Sequence, residues 1–116
     1  MTELEALKLR LREFANERDW DQFHSPKNLS MALIAEVAEL VEHFQWLSEE
    51  QSANLDAEKI HAVSEELADI QIYLIRIADK LGVDLMDAAN KKMDSNERKY
   101  PADKVKGSAK KYSEYD

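Results

Sequence analysis

Cysteine is absent, which excludes disulfides and thiolate metal sites. Glycine and proline occur only twice each. A β-rich domain needs more turn residues than that, so long helices with few breaks are expected and the fold class is all-α. No apolar run approaches the roughly 20 residues that span a bilayer. The segment Met1 to Leu11 is charged and periodic, unlike the apolar core of a secretory leader. A cytoplasmic protein with no membrane partner is the expectation. With 44% hydrophobic and 34% charged residues, the 116-residue chain is expected to form one globular domain, 1–116, with a polar lysine-rich tail from about 101.

Negative charge is abundant but uneven. The net charge is −8, yet residues 91–111 carry eight Lys/Arg against Asp94, Glu97 and Asp103. The remainder of the chain is acidic, which argues against nucleic-acid binding by phosphate neutralisation. The basic stretch is free to meet a phosphate, a partner chain or water.

Four helices are expected. Thr2-Glu3-Leu4-Glu5 has the form of a capping box. Leu4, Leu7, Leu11 and Phe14 follow on one face, and this helix should fade near Arg18. Ser25-Pro26 starts a second helix reaching about Leu47. A short helical turn is expected between Ser48 and Leu55. Asp56 caps a third helix that Gly82 closes near Leu81, and Asp84 caps a fourth that ends near Tyr100, before Pro101. The second and third helices are apolar on most of their faces. A chain this short can hardly cover both, so burial against other subunits is expected; the alternative is coverage by neighbouring helices of the same chain.

Acid inside these apolar helices is the informative anomaly. Glu36 and Glu39 are three apart and share a stripe with His43 and Trp46. Glu66 and Asp69 repeat the spacing, with Tyr73 continuing their stripe. If the two helices pack side by side, four carboxylates converge. Two like charges ~4 Å apart repel by about 4 kcal/mol at an effective dielectric near 20, so such a cluster makes sense around a hard divalent cation. Mg²⁺ suits the all-oxygen donor set, with Mn²⁺ as the alternative ion. Spacing also permits Glu65 with Asp69 as a competing pair. For Glu42, Glu49, Glu50, Glu58 and Glu65 a solvated helix face is the simpler reading. His61 is expected to be exposed, and His43 structural or exposed.

The pattern Glu36-x-x-Glu39 followed by Glu66-x-x-Asp69 resembles the signature of the all-α NTP pyrophosphatase superfamily, which includes MazG and dimeric dUTPases. Residues 17–29, Phe44-Gln45-Trp46, Arg98-Lys99-Tyr100-Pro101 and Gly107-Ser108-Ala109-Lys110-Lys111-Tyr112 are similar to segments of its dCTP pyrophosphatase branch. The resemblance implies a MazG-like four-helix bundle, assembled as a homotetramer (a dimer of dimers). It implies Mg²⁺-dependent conversion of a nucleoside triphosphate, dCTP or a modified dCTP first, to monophosphate and pyrophosphate, a role in nucleotide-pool sanitation. It also implies metal binding by Glu36, Glu39, Glu66 and Asp69, and Glu36 or Glu39 is then the candidate general base. Trp20, His24, Trp46, Tyr73 and Asn96 match positions lining the nucleotide pocket, and Lys92 or Lys99 would steady the leaving pyrophosphate. Trp46 and Tyr73 have ordinary core packing as their alternative role. Two other functions stay open: the same fold acting on dUTP or on a broad set of non-standard triphosphates, and a non-catalytic helical oligomerisation module.

Overall fold

A computed structural model of the chain describes residues 1–109 and Ser113. Lys110, Lys111 and Tyr112 of the C-terminal motif lie outside the described residues. The chain divides into two compact units, Met1–Gly82 and Val83 onward. The first holds α1 (Glu3–Glu17), a 3₁₀ turn (Asp21–Phe23), α2 (Pro26–Glu42), the short α3 (Glu49–Ser52) and α4 (Ala57–Leu81). The second holds α5 (Leu85–Lys99) and α6 (Ala102–Val105). No strand occurs among the described residues, and none of their helices is long and apolar enough to cross a membrane.

Local chemistry sets the helix ends. The Thr2 hydroxyl accepts from Glu5 N–H while the Glu5 carboxylate accepts from Thr2 N–H, a reciprocal cap that satisfies two otherwise orphaned donors. Ser25 caps α2 ahead of Pro26, whose missing N–H costs nothing at the first position. Asp56 and Asp84 cap α4 and α5 through their carboxylates. Gly82 ends α4 at φ 69°, in the left-handed region where a Cβ is strained. No atom crowds a Cβ there, so Gly82→Ala should cost only the backbone term, about 1 kcal/mol of unfolding free energy. Urea denaturation measures this.

α2 ends earlier than its apolar pattern suggests. Beyond Glu42 the backbone tightens into i→i−3 bonds, from His43 N–H to Leu40 C=O (3.2 Å) and from Phe44 N–H to Val41 C=O (2.9 Å). Phe44 to Leu47 therefore form turns rather than the last helical coil.

The core of the first unit is the seam between α2 and α4, with α1 packed on α4. Leu29 is fully buried, and Leu33, Val37 and Leu40 follow it on the inner face of α2. Val63, Ile75 and Ala78 are their buried counterparts on α4. Glu36 falls on the same inner stripe as Leu29, Leu33 and Leu40, so packing itself forces that carboxylate inward. The outer faces remain apolar and exposed: Met31, Ile34 and Val41 on α2, and Ile60, Leu67, Leu74 and Leu81 on α4. The last four recur every seven residues.

Candidate active site

Where α2 crosses α4, Glu36, Glu39 and Glu66 each place a carboxylate oxygen within 4.8 Å of the other two. Glu36 and Glu66 are half-buried, and Glu39 lies at the exposed lip. One oxygen of Glu36 and one of Glu66 are buried without a hydrogen-bond partner. An orphaned buried carboxylate oxygen is costly in a folded protein, and here two face a third acid. Burial first, and then the hydrogen bond and charge of Glu39 with the charges of Asp69 and Glu66, push the Glu36 pKa up to about 7. Burial and Glu39 also raise Glu66, against the opposing pull of His43. Three oxygen donors, two of them unsatisfied, fit a hard divalent cation. Glu36, Glu39 and Glu66 are the side chains that would hold it.

The competing acid turns away. Glu65 is exposed and meets His61 Nε2 at 3.2 Å. His43 has a larger part than its sequence context suggested. Its Nδ1 lies 3.4 Å from Lys59 Nζ and its Nε2 3.7 Å from Glu66 Oε1. The ammonium can only donate, so Nδ1 accepts and Nε2 carries the proton that faces Glu66.

Asp69 stands outside the tight trio but contributes charge to Glu36 and lines an adjoining cavity of about 470 Å³. That volume is in the range of small-ligand pockets. Leu7, Leu11 and Phe14 of α1 form one wall, and Ile72, Tyr73 and Arg76 of α4 the other. Trp20 and His24 close it from the connection between α1 and α2. Trp20 stands edge-on to Phe14, with ring centroids 5.7 Å apart, and Arg18 covers the Phe14 ring at 3.7 Å.

A chain of alternating charges holds this corner together. Arg12 grips Asp79 through two hydrogen bonds of 2.7 and 2.6 Å. Arg76 Nη1 lies 3.7 Å from the same carboxylate. Its Nη2 donates to Asp21 Oδ1 at 3.1 Å and meets His24 Nδ1 at 3.1 Å. Lys80 completes the chain on Asp21 at 2.5 Å. Arg12 holds the Asp79 carboxyl below its ordinary range, and Lys80 and then Arg76 do so for Asp21. Burial, reinforced by the Arg76 cation, holds His24 below the usual imidazole value.

Of the residues expected at a site, the structure thus brings together Glu36, Glu39 and Glu66 in one cluster, and Trp20, His24, Asp69 and Tyr73 around one cavity. Trp46 is not among the cavity's lining residues and is 87% exposed, so it is no core aromatic within this chain. Lys92, Asn96 and Lys99 share one face of α5 in the second unit. Arg76, Asp21 and Asp79 were missed. The signal was present: Glu66, Asp69, Tyr73 and Arg76 follow one another at helical steps of three and four.

A family model described as MazG-like matches residues 32–115. The chain belongs to the MazG-like family. It is 46% identical over 113 residues to dCTP pyrophosphatase 1 of Bos taurus, covering 96% of this chain and 67% of that one. Identity to the Homo sapiens protein of the same name is 44%, with 96% and 66% covered. The chain thus spans about two thirds of the length of these relatives. The crystal structure of a pyrophosphatase from Archaeoglobus fulgidus is similar at a TM-score of 0.82 and 40% identity, covering 87% of this chain and 94% of that one.

Proposed function

We propose that this MazG-like chain is a Mg²⁺-dependent pyrophosphohydrolase that takes dCTP, or a modified deoxycytidine triphosphate, with water to the monophosphate and pyrophosphate. The observation that carries this reading is the carboxylate trio with two unsatisfied buried oxygens beside a cavity with aromatic walls. Glu36, Glu39 and Glu66 hold the cation, with Asp69 as the fourth acid. Bound there, Mg²⁺ supplies Lewis-acid chemistry, neutralising phosphate charge and making water acidic enough to act as a nucleophile. The chain's own residues do the rest. A carboxylate beside the attacking water, Glu36 or Glu39, accepts its proton. Attack falls on the α-phosphorus and pyrophosphate leaves. Trp20 and Tyr73 offer flat faces to the base. Lys92 and Lys99 are assigned to the phosphates, and Asn96 and Trp46 to the nucleoside.

The chain is proposed to act as a homotetramer, a dimer of dimers. The apolar outer stripes of α2 and α4 support this, since exposed apolar surface of that extent marks an interface.

A panel of dCTP, 5-substituted dCTP, dUTP and the other nucleotides, with Mg²⁺ and product analysis, tests the activity. Pyrophosphate and monophosphate should appear in equal amounts, with the highest kcat/KM for a cytosine nucleotide. Orthophosphate alone, or no turnover of any nucleotide, sinks the reading. A higher kcat/KM for dUTP keeps the reaction and overturns the base preference.

A further inference from the structure

Arg76 is 4% exposed and forms part of the cavity wall, yet the proposed chemistry makes no use of it. Burying a guanidinium is costly unless every contact compensates. Each of its two acidic neighbours has a second cation: Asp79 has Arg12 through two bonds, and Asp21 has Lys80. What Arg76 alone supplies is a hydrogen bond to His24.

The direction of that bond is fixed by chemistry. A guanidinium has five N–H donors and no acceptor. At 3.1 Å, Nη2 donates and His24 Nδ1 must accept. The neutral imidazole then carries its single proton on Nε2, and a proton on Nδ1 would point at the cation. The same Nη2 donates to Asp21 Oδ1. One nitrogen therefore grips both ends of the turn from Asp21 to His24, and Trp20 immediately precedes that turn.

We infer that Arg76 is a positioning residue that fixes His24 as the Nε2–H tautomer and pins the Trp20–His24 segment, so that the cavity presents a hydrogen-bond donor to an acceptor edge of the nucleobase. The inference rests on the reading of this cavity as the base site. A donor aimed at position 3 of a pyrimidine meets a lone pair in cytosine and an opposing N–H in uracil. Arg76 thereby supports the choice of cytosine without touching it.

Two measurements on the full chain separate this inference from the reading beneath it. The first is NMR of the His24 imidazole nitrogens in metal-free protein, which needs no turnover. The parent should show the Nε2–H tautomer and Arg76→Met a mixture. An Nδ1–H tautomer in the parent, or no change in the variant, overturns the inference. The second is kinetics. Arg76→Met should raise KM for dCTP severalfold, up to about tenfold, the scale of one neutral hydrogen bond, while kcat stays within about threefold. The dCTP preference over dUTP should fall in parallel.

Arg12 and Lys80 still hold the two acids in that variant, and Arg76→Lys keeps the charge should Arg76→Met misfold. Arg76→Lys should show the same KM-selective loss in smaller degree, and a loss confined to kcat overturns the inference. His24→Gln carries an amide donor that needs no tautomer, so Arg76→Met should cost little in that background. Equal losses in both backgrounds overturn the inference. The expected tautomer with KM unchanged overturns the recognition role alone. The expected tautomer in a protein that turns over no nucleotide overturns the base-site reading and the recognition role with it.

Discussion

Glu39→Gln is expected to lower pyrophosphate release by about a thousandfold, the scale seen when one charge-stabilising group is removed from an active site, while the protein stays folded. The substitution keeps the size of the side chain and removes one charge from a trio whose oxygens lie within 4.8 Å of one another. Without metal, the parent keeps Glu36 and Glu66 beside that charge, and Glu39 is a cause of the raised pKa of each. Removing the charge relieves this repulsion. The metal-free variant should therefore melt at or above the parent temperature. Its rise in melting temperature with Mg²⁺ should shrink or disappear. A variant that keeps full activity, or that unfolds, contradicts the placement of Glu39 at the cation site.

The second large effect couples pH to the metal. In metal-free protein the Glu36 carboxyl sits at about 7 against an ordinary 4.5. Between those values the folded state holds a proton that the unfolded state releases. This contribution to stability is full below the unfolded value and is lost as pH rises through the folded one. Glu66 is shifted in the same direction. Asp21 and Asp79 run the other way: their contribution is present above the ordinary Asp value and is lost as pH falls below it. Metal-free melting temperature should therefore peak on the acid side of neutrality and decline toward pH 7.

Mg²⁺ needs the deprotonated carboxylates, so its stabilisation should run opposite to that decline, small near pH 5 and large near pH 8. At a hundred times its Kd it adds about 2.7 kcal/mol. Calorimetric scans across pH, with and without Mg²⁺, give both curves. Parallel curves would mean that the cation does not bind the trio.

Much of this protein is legible from its sequence because its helix ends are written locally. Thr2 with Glu5, Ser25 with Pro26, and Asp56, Asp84 and Gly82 each act within a few residues. Asp69 stands outside the cluster, but three of the four carboxylates expected to converge do so. They were legible for a similar reason, since helical spacing puts acids on one face. The charge chain was not. Arg12 and Asp79 are 67 positions apart, and Arg76 and Asp21 are 55 apart. No local rule joins them. Arg76 in particular was hidden among the isoleucines and leucines of α4. For Trp46 the alternative of core packing does not hold: at 87% exposure nothing in its own chain covers it. The end of α2 is not legible, because apolar residues continue past Glu42 while the backbone tightens.

One further consequence follows from α4 being a single uninterrupted helix of 25 residues, about 37 Å long at 1.5 Å per residue. It carries Glu66 and Asp69 toward one side and the line Ile60, Leu67, Leu74 and Leu81 along another. A helix without a kink behaves as a rod. Any body that grips the apolar line acts as a lever on the acids, and a tilt of a few degrees at the outer face changes the gap from Glu66 to Glu36 and Glu39. The spacing of these acids is in this sense a mechanical property of whatever touches the far side of the rod.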